Sequence, residues 1–198
     1  MNNTHEEFNR LLQLRNEYPE KHQEIDQQIQ QQFSQTHALL VIDMSGFSRT
    51  TIRYGIIHFL AMVHQMKTLV IPGIEKNGGK LIKQDADNIF AVFPTVNQAV
   101  DCSLQLQQLT AAVNTTLPDE KDIYLCIGIG YGEVLMIEEN EMYGSEFNLA
   151  AKLGEDLAQR EEILLTEQAY KNLNPKQGEW QELNFSISGL ELIAYKPK

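Results

Sequence analysis

The apolar run that leads into VIDMSGFSRTT, Val41 to Thr51, carries a carboxylate near its end, Asp43, just before the Ser45-Gly46 turn. A second carboxylate, Asp87, lies in the polar stretch DADN between two further apolar segments. Each has an ordinary explanation by itself. Asp43 could cap the helix that follows Gly46, although it precedes that helix by several residues. Asp is also favoured in hairpin turns, where its side chain bonds the nearby backbone. As a pair, the two supply the oxygen ligands that hard divalent cations require. Magnesium takes one or two carboxylates, with substrate phosphates and water completing its octahedron. The MSGFS turn would add backbone N–H groups at a helix N-terminus, a ready place for phosphate oxygens.

Positioning these groups falls to the surrounding elements. Ala38 to Met44 reads as a buried strand, followed by one long helical pattern from about Arg49 to Lys76 that contains Pro72. GGKLIKQ and NIFAVF read as two strands joined at DADN, and a helix fills roughly Val96 to Val113. IYLCIGIGYGEVLMI reads as two strands broken at Gly130–Gly132, with the next turn at Glu138, Glu139 and Asn140. SEFNLAAKLGEDLA is helical, with Leu149, Leu153 and Leu157 at four-residue spacing. The C-terminal part alternates the strands EILLT, WQELNFSI and ELIAY with the helix EQAYKNL. This order predicts an α+β fold, a mixed and largely antiparallel sheet flanked by helices. Ahead of it, residues 5–34 form a Gln- and Glu-rich leader split at Pro19 into two helical pieces with one apolar stripe. The expected organisation is therefore a helical extension over 1–34 and one domain over 35–198. The leader either packs on that domain or offers its stripe to a regulatory partner.

Composition narrows the function. The chain of 198 residues is 42% hydrophobic and 22% charged, as expected of a soluble globular protein. Its net charge of −11 argues against nonspecific binding to nucleic acid or to anionic membranes. The polar start MNNTHEEFNR does not read as a signal peptide, and no apolar run approaches the ~20 residues of a membrane helix. Cys102 and Cys126 follow no metal or disulfide spacing and read as core thiols, which suits a reducing cytoplasm. His58 and His64 read as ordinary helical histidines rather than ligands.

Across about residues 38–195 the sequence resembles the class III nucleotidyl cyclases, whose fold is related to the ferredoxin-like one. VIDMSGF resembles the family's first metal motif, and GGKLIKQDADNIFAVF its second block. IGIGYGEVL is similar to the strand pair leading to the nucleotide, and YGSEFNLAAKLGEDLAQREEILLT to the helix and strand that follow. The resemblance implies that Asp43 and Asp87, with the Met44 carbonyl, hold two Mg2+ or Mn2+ ions. It implies that Ser45, Gly46 and Phe47 cradle phosphate, that Lys83 and Glu141 read a purine, and that Asn148 orients the ribose. Lys152 falls on the family's transition-state Arg. The implied reaction is conversion of ATP to 3′,5′-cyclic AMP and pyrophosphate, at sites shared between the two chains of a homodimer.

The chain also departs from the family pattern. Lys152 keeps a positive charge without the planar fork that grips phosphate bidentately. Ala86 replaces the usual Gly before the second Asp, and Asp85 adds a third carboxylate. The turn between Gly132 and Gly144 is short, and Ser188-Gly189 stands where many members have Lys-Gly. Two functions therefore stay open at the level of sequence: a cyclase, or a cyclase-fold module that binds nucleotide and regulates a partner without turnover. Lys83, Glu141, Asn148 and Lys152 taken singly could each be a surface charge or an exposed polar helix face.

Overall fold

The computed structural model describes residues 3–175, 178–187 and 189–198. Two leader helices, α1 (His5–Glu17) and α2 (His22–Phe33), are separated by a 3-10 turn that starts at Pro19. Thr4 caps α1 by accepting from the Glu7 N–H at 3.2 Å. Phe33 ends α2 and Ser34 starts the first strand, β1 (Ser34–Met44), with no linker between them. Helices α3 (Phe47–Tyr54) and α4 (Ile56–Lys76) follow, then the hairpin β2 (Lys80–Asp85) and β3 (Asn88–Phe93). Helix α5 (Val96–Asn114) leads to the long strand β4 (Leu125–Ile137), which turns back into the short β5 (Glu141–Tyr143). Helix α6 (Ser145–Ala151) runs into a π-helical turn, Lys152–Leu157. The chain closes with β6 (Ile163–Thr166), α7 (Glu167–Asn172), β7 (Trp180–Ile187) and β8 (Leu190–Pro197).

The strands form one sheet in the order β2-β3-β1-β4-β6-β8-β7, with β5 paired to β4. Only β4 and β6 run parallel; the other recorded pairs are antiparallel. The expected α+β class with a largely antiparallel sheet is the observed one. Both faces of the centre are covered, which is why Ala38 to Ile42 reads as an unbroken apolar run rather than an alternating one. Ala38, Leu40, Ile42 and Met44 pack beneath α4 and α5, while Leu39 and Val41 pack beneath α6.

Three sequence expectations change. The single helix over 49–76 is two, because Gly55 sits at φ 87°, a left-handed conformation that breaks α-helical continuity. The strand pair expected to break at Gly130–Gly132 is one continuous strand, β4, hydrogen-bonded to β1 along its length. Its glycines serve packing instead: a Cβ at Gly128 would lie 2.0 Å from the Ala150 carbonyl oxygen, so only Gly lets α6 lie this close. The helix expected over 145–158 is α-helical only to Ala151, after which the π-helical turn begins.

The leader packs by its apolar stripe, as one of the two expectations had it. Leu11, Ile25, Ile29 and Phe33 bury with Ile137 at the far end of β4. Cys102 and Cys126 are buried free thiols, and burial pushes them up to about 12 and about 11. No helix among the described residues is long and apolar enough to cross a membrane.

Candidate functional site

β1 delivers Asp43 to the edge of the α6 face, next to the Met44–Phe47 turn. The N-cap of α3 is Gly46, with no side-chain cap bond, so Asp43 does not cap that helix. Its carboxylate is pushed from an ordinary 3.8 up to about 7. Burial is the largest cause, followed by the charge of Asp87, with Glu155 contributing; the Met44 N–H opposes the shift by donating to it. Asp87 borders the same cavity, near enough for its charge to act on Asp43. Asp87 comes from the two-residue turn of the β2–β3 hairpin, whose other residue, Ala86, is held at φ 49°, a conformation Gly adopts more readily. Among the described residues no ion pair reaches either carboxylate. The two border a cavity of ≈ 490 Å³ together with Met44, Ser45, Gly46 and Phe47.

Among the described residues there is no group of three or more His, Cys, Asp or Glu side chains placed to hold a metal. Two facing carboxylates, one reluctant to ionise and neither ion-paired, match a magnesium-type site that draws its remaining ligands from phosphate and water. They do not match a site supplied wholly by protein. The residues fit an ion that arrives with a phosphorylated ligand.

A second cavity measures ≈ 380 Å³. It is bordered by Lys83, Glu141 and Asn148 and by the apolar side chains Ile82, Phe90 and Phe147. Lys83 reaches it through a β-bulge. The register passes from Leu81↔Ala91 to Lys83↔Phe90, leaving Ile82 as the extra residue. In a regular strand Lys83 would share the face of Leu81, beneath α4 and α5. The bulge turns it onto the α6 face with Phe90, its ammonium 3.9 Å from Asp85 and about half exposed. Glu141 lies on β5, where its carboxylate accepts from the Tyr143 hydroxyl at 2.7 Å. Asn148 is placed by α6, whose close seat on Gly128 depends on the missing Cβ.

The structure thus sorts the nine residues other than Lys152 into two groups. Asp43, Met44, Ser45, Gly46, Phe47 and Asp87 meet in the first cavity, and Lys83, Glu141 and Asn148 in the second. Lys152 borders neither: it lies on the π-helical turn, its ammonium 3.0 Å from the Asp156 carboxylate. Ser188 lies outside the described residues. Sequence reasoning did not single out Arg49 and Arg160, which also border the first cavity. Arg160 is stacked over the Tyr124 ring, 3.9 Å from its centroid. Glu155 was missed too; burial and its acidic neighbours, Asp85 and Asp87 among them, raise its pKa. An acidic run on a helix reads as solvated surface, and no spacing rule points Arg160 at Asp43, which is 117 positions earlier in the chain.

No protein-family model matches the sequence. Over 116 residues the chain is 29% identical to a Rhizobium meliloti (strain 1021) protein assigned as adenylate cyclase 3, a match that covers 59% of this chain and 20% of that one. The chain thus spans about a fifth of the length of that relative. Its backbone superposes on an adenylate/guanylate cyclase/hydrolase from Silicibacter pomeroyi with a TM-score of 0.70 and 22% identity, over 82% of this chain and 96% of that one. It superposes on the non-canonical dimeric guanylyl cyclase domain of a RhoGC fusion protein from Blastocladiella emersonii with a TM-score of 0.68 and 14% identity, over 83% and 97%. The chain has the fold of the class III adenylate and guanylate cyclase catalytic domains.

Proposed function

We propose that this chain is a nucleotidyl cyclase domain that converts ATP to 3′,5′-cyclic AMP and pyrophosphate, acting as a homodimer with shared sites. The observation that carries the reading is the Asp43–Asp87 pair: two carboxylates bordering one cavity, the charge of one helping to push the other up to about 7, with no ion pair to either among the described residues. Such a pair is held at a cost unless a cation relieves it.

Asp43, Asp87 and the Met44 carbonyl are the groups that would hold two Mg2+ or Mn2+ ions. When bound there, such ions lower the pKa of the ribose 3′-hydroxyl and neutralise phosphate charge. The reaction joins the 3′-oxygen to the α-phosphorus and breaks the α-phosphorus bond to the bridging oxygen. Pyrophosphate leaves with that electron pair, and the hydroxyl proton passes to solvent. Most of the chain's contribution is positioning and electrostatics, as is general for transfer at phosphorus. The Ser45–Phe47 turn and the guanidinium groups of Arg49 and Arg160 hold the polyphosphate. Lys83 donates to the adenine N1 edge, Glu141 accepts from the exocyclic amine, and Asn148 fixes the ribose.

The two groups occupy separate cavities of one chain. A homodimer in which the first cavity of one copy faces the second cavity of its partner would complete two equivalent sites. A cyclase-fold module without turnover is the second reading, and one observation favours it: Lys152 lies outside both cavities, paired with Asp156. The deciding experiment is an assay of purified protein with ATP, GTP, CTP and UTP, first with magnesium and then with manganese. Cyclic AMP formed from ATP is the expected result. Nucleotide binding with no cyclic product under either metal would transfer the assignment to the second reading.

A further inference from the structure

The leader does more than cover the end of β4, because its first residues grip the turn that carries Glu141. Asn3 makes two bonds to the chain where it enters that turn from β4. Its side-chain amide donates to the Met136 carbonyl at 2.9 Å, and its side-chain oxygen accepts from the Glu138 N–H at 2.9 Å. The His5 N–H donates to the Glu138 carboxylate at 3.1 Å. The His5 ring lies 3.2 Å from the Asn140 side-chain oxygen and 3.8 Å from Glu141 Oε2, the same oxygen that accepts from the Tyr143 hydroxyl. At the end of the first turn of α1, Phe8 stacks on Tyr143 with centroids 6.2 Å apart and planes 11° apart.

The hairpin needs such support. β5 has three residues, and it pairs only with the last three of β4. The turn before it holds Glu138 and Glu139 at φ 48° and 58°, a conformation unfavourable for a side chain larger than glycine's. So short a ladder, closed by a strained turn, holds a wall of the second cavity weakly by itself. The leader, by contrast, is also tied to the centre of the sheet: Phe33 runs directly into β1 at Ser34, and Leu11 and Phe33 are fully buried. A firmly seated helix therefore meets a weakly held hairpin, and it touches the two side chains, Glu141 and Tyr143, that border the cavity.

We propose that residues Asn3 to Phe8 form a latch that sets the position of the β5 wall, so that His5 and Phe8 are positioning residues for Glu141 and Tyr143. The consequence for ligand selection rests on the reading of this cavity as the purine pocket. Any change that lifts α1 from the hairpin, such as a partner engaging the leader, alters purine choice without touching Asp43 or Asp87.

The test uses the full chain with His5→Ala, with Phe8→Leu, which keeps an apolar group against Phe33, and with Arg10→Ala as a control. Arg10 sits on the exposed side of α1 and pairs with Glu7. Amide hydrogen exchange at Glu141–Gly144 should quicken by about tenfold in the two latch variants and stay unchanged in the control. The ratio of kcat/KM for ATP to that for GTP should fall about threefold or more, chiefly through KM, in the same two variants. His5→Gln, which can still bond Glu138 and Asn140, should restore both. Unchanged exchange in both latch variants overturns the latch, whatever the activity. Faster exchange in a protein whose wild type shows no purine preference supports the latch and overturns the purine reading instead.

Discussion

The Asp43 carboxylate shares its surroundings with that of Asp87, and burial together with the second charge pushes its pKa from 3.8 to about 7. Over that interval the native protein retains a proton that the unfolded chain has released. Metal-free stability therefore falls as pH rises from about 4 towards 7 and levels off above, since the fold binds the extra proton. Asp43→Asn removes the repulsion at pH 8 and substitutes neutral for neutral at pH 5. It should raise the unfolding midpoint at pH 8 by roughly 3–6 °C, less than the full shift implies because solvent screens this partly exposed site, and change it little at pH 5. The same substitution and Asp87→Ala should each abolish cyclisation. A stabilised but inactive Asp43→Asn protein is the signature of a site built for a cation; a destabilised one would argue that the pair is structural. Thermal melts at the two pH values in chelator decide this.

Discrimination between purines tests the second cavity. Guanine reverses the donor and acceptor groups that Lys83 and Glu141 would meet. Each mispaired buried polar group costs ~1–3 kcal/mol, so ATP should be preferred over GTP by about tenfold or more. Lys83→Met with Glu141→Gln should narrow that gap. Competition kinetics with both nucleotides measure it, and equal turnover in the wild type would remove the base-reading roles.

Lys152 can act on a phosphate only if it leaves Asp156, 3.0 Å away. Asp156→Ala should therefore leave activity unchanged or raise it by about twofold at most, as expected for an exposed pair worth about 0.3–0.5 kcal/mol. Lys152→Arg should keep or raise activity, because a guanidinium makes two parallel bonds to phosphate where an ammonium makes one. Lys152→Ala should fall far below wild type. A neutral Lys152→Ala would leave Lys152 as a surface charge.

Asp43 and Asn148 border different cavities, which makes complementation a test of assembly. Asp43→Ala and Asn148→Ala homodimers should each be nearly inactive. After subunit exchange in an equal mixture, about half the dimers are mixed, each with one intact site, so about a quarter of wild-type activity should return. No recovery, with mixed dimers demonstrated by mass, would place each site within a single chain.

The sequence by itself determined the fold class, the hairpin that carries Asp87, the leader split at Pro19 and the blocks that pointed to a cyclase-like domain. These depend on local periodicity and on side-chain types at fixed short spacing, both of which are written along the chain. Only the tertiary structure decided how Lys83 faces. That depends on one extra residue, Ile82, in the ladder with β3, and strand alternation alone points Lys83 the other way. The continuity of β4 was equally hidden, because glycines that signal a break in an isolated strand here make room for α6. Arg160 on one cavity with Asp43, and His5 beside Glu141, bring together segments more than a hundred residues apart, set by where separate elements meet on the sheet. Asp43 shows the division most clearly. Its type was legible from the start, but its reluctance to ionise comes from burial and from a second carboxylate delivered by another pair of strands.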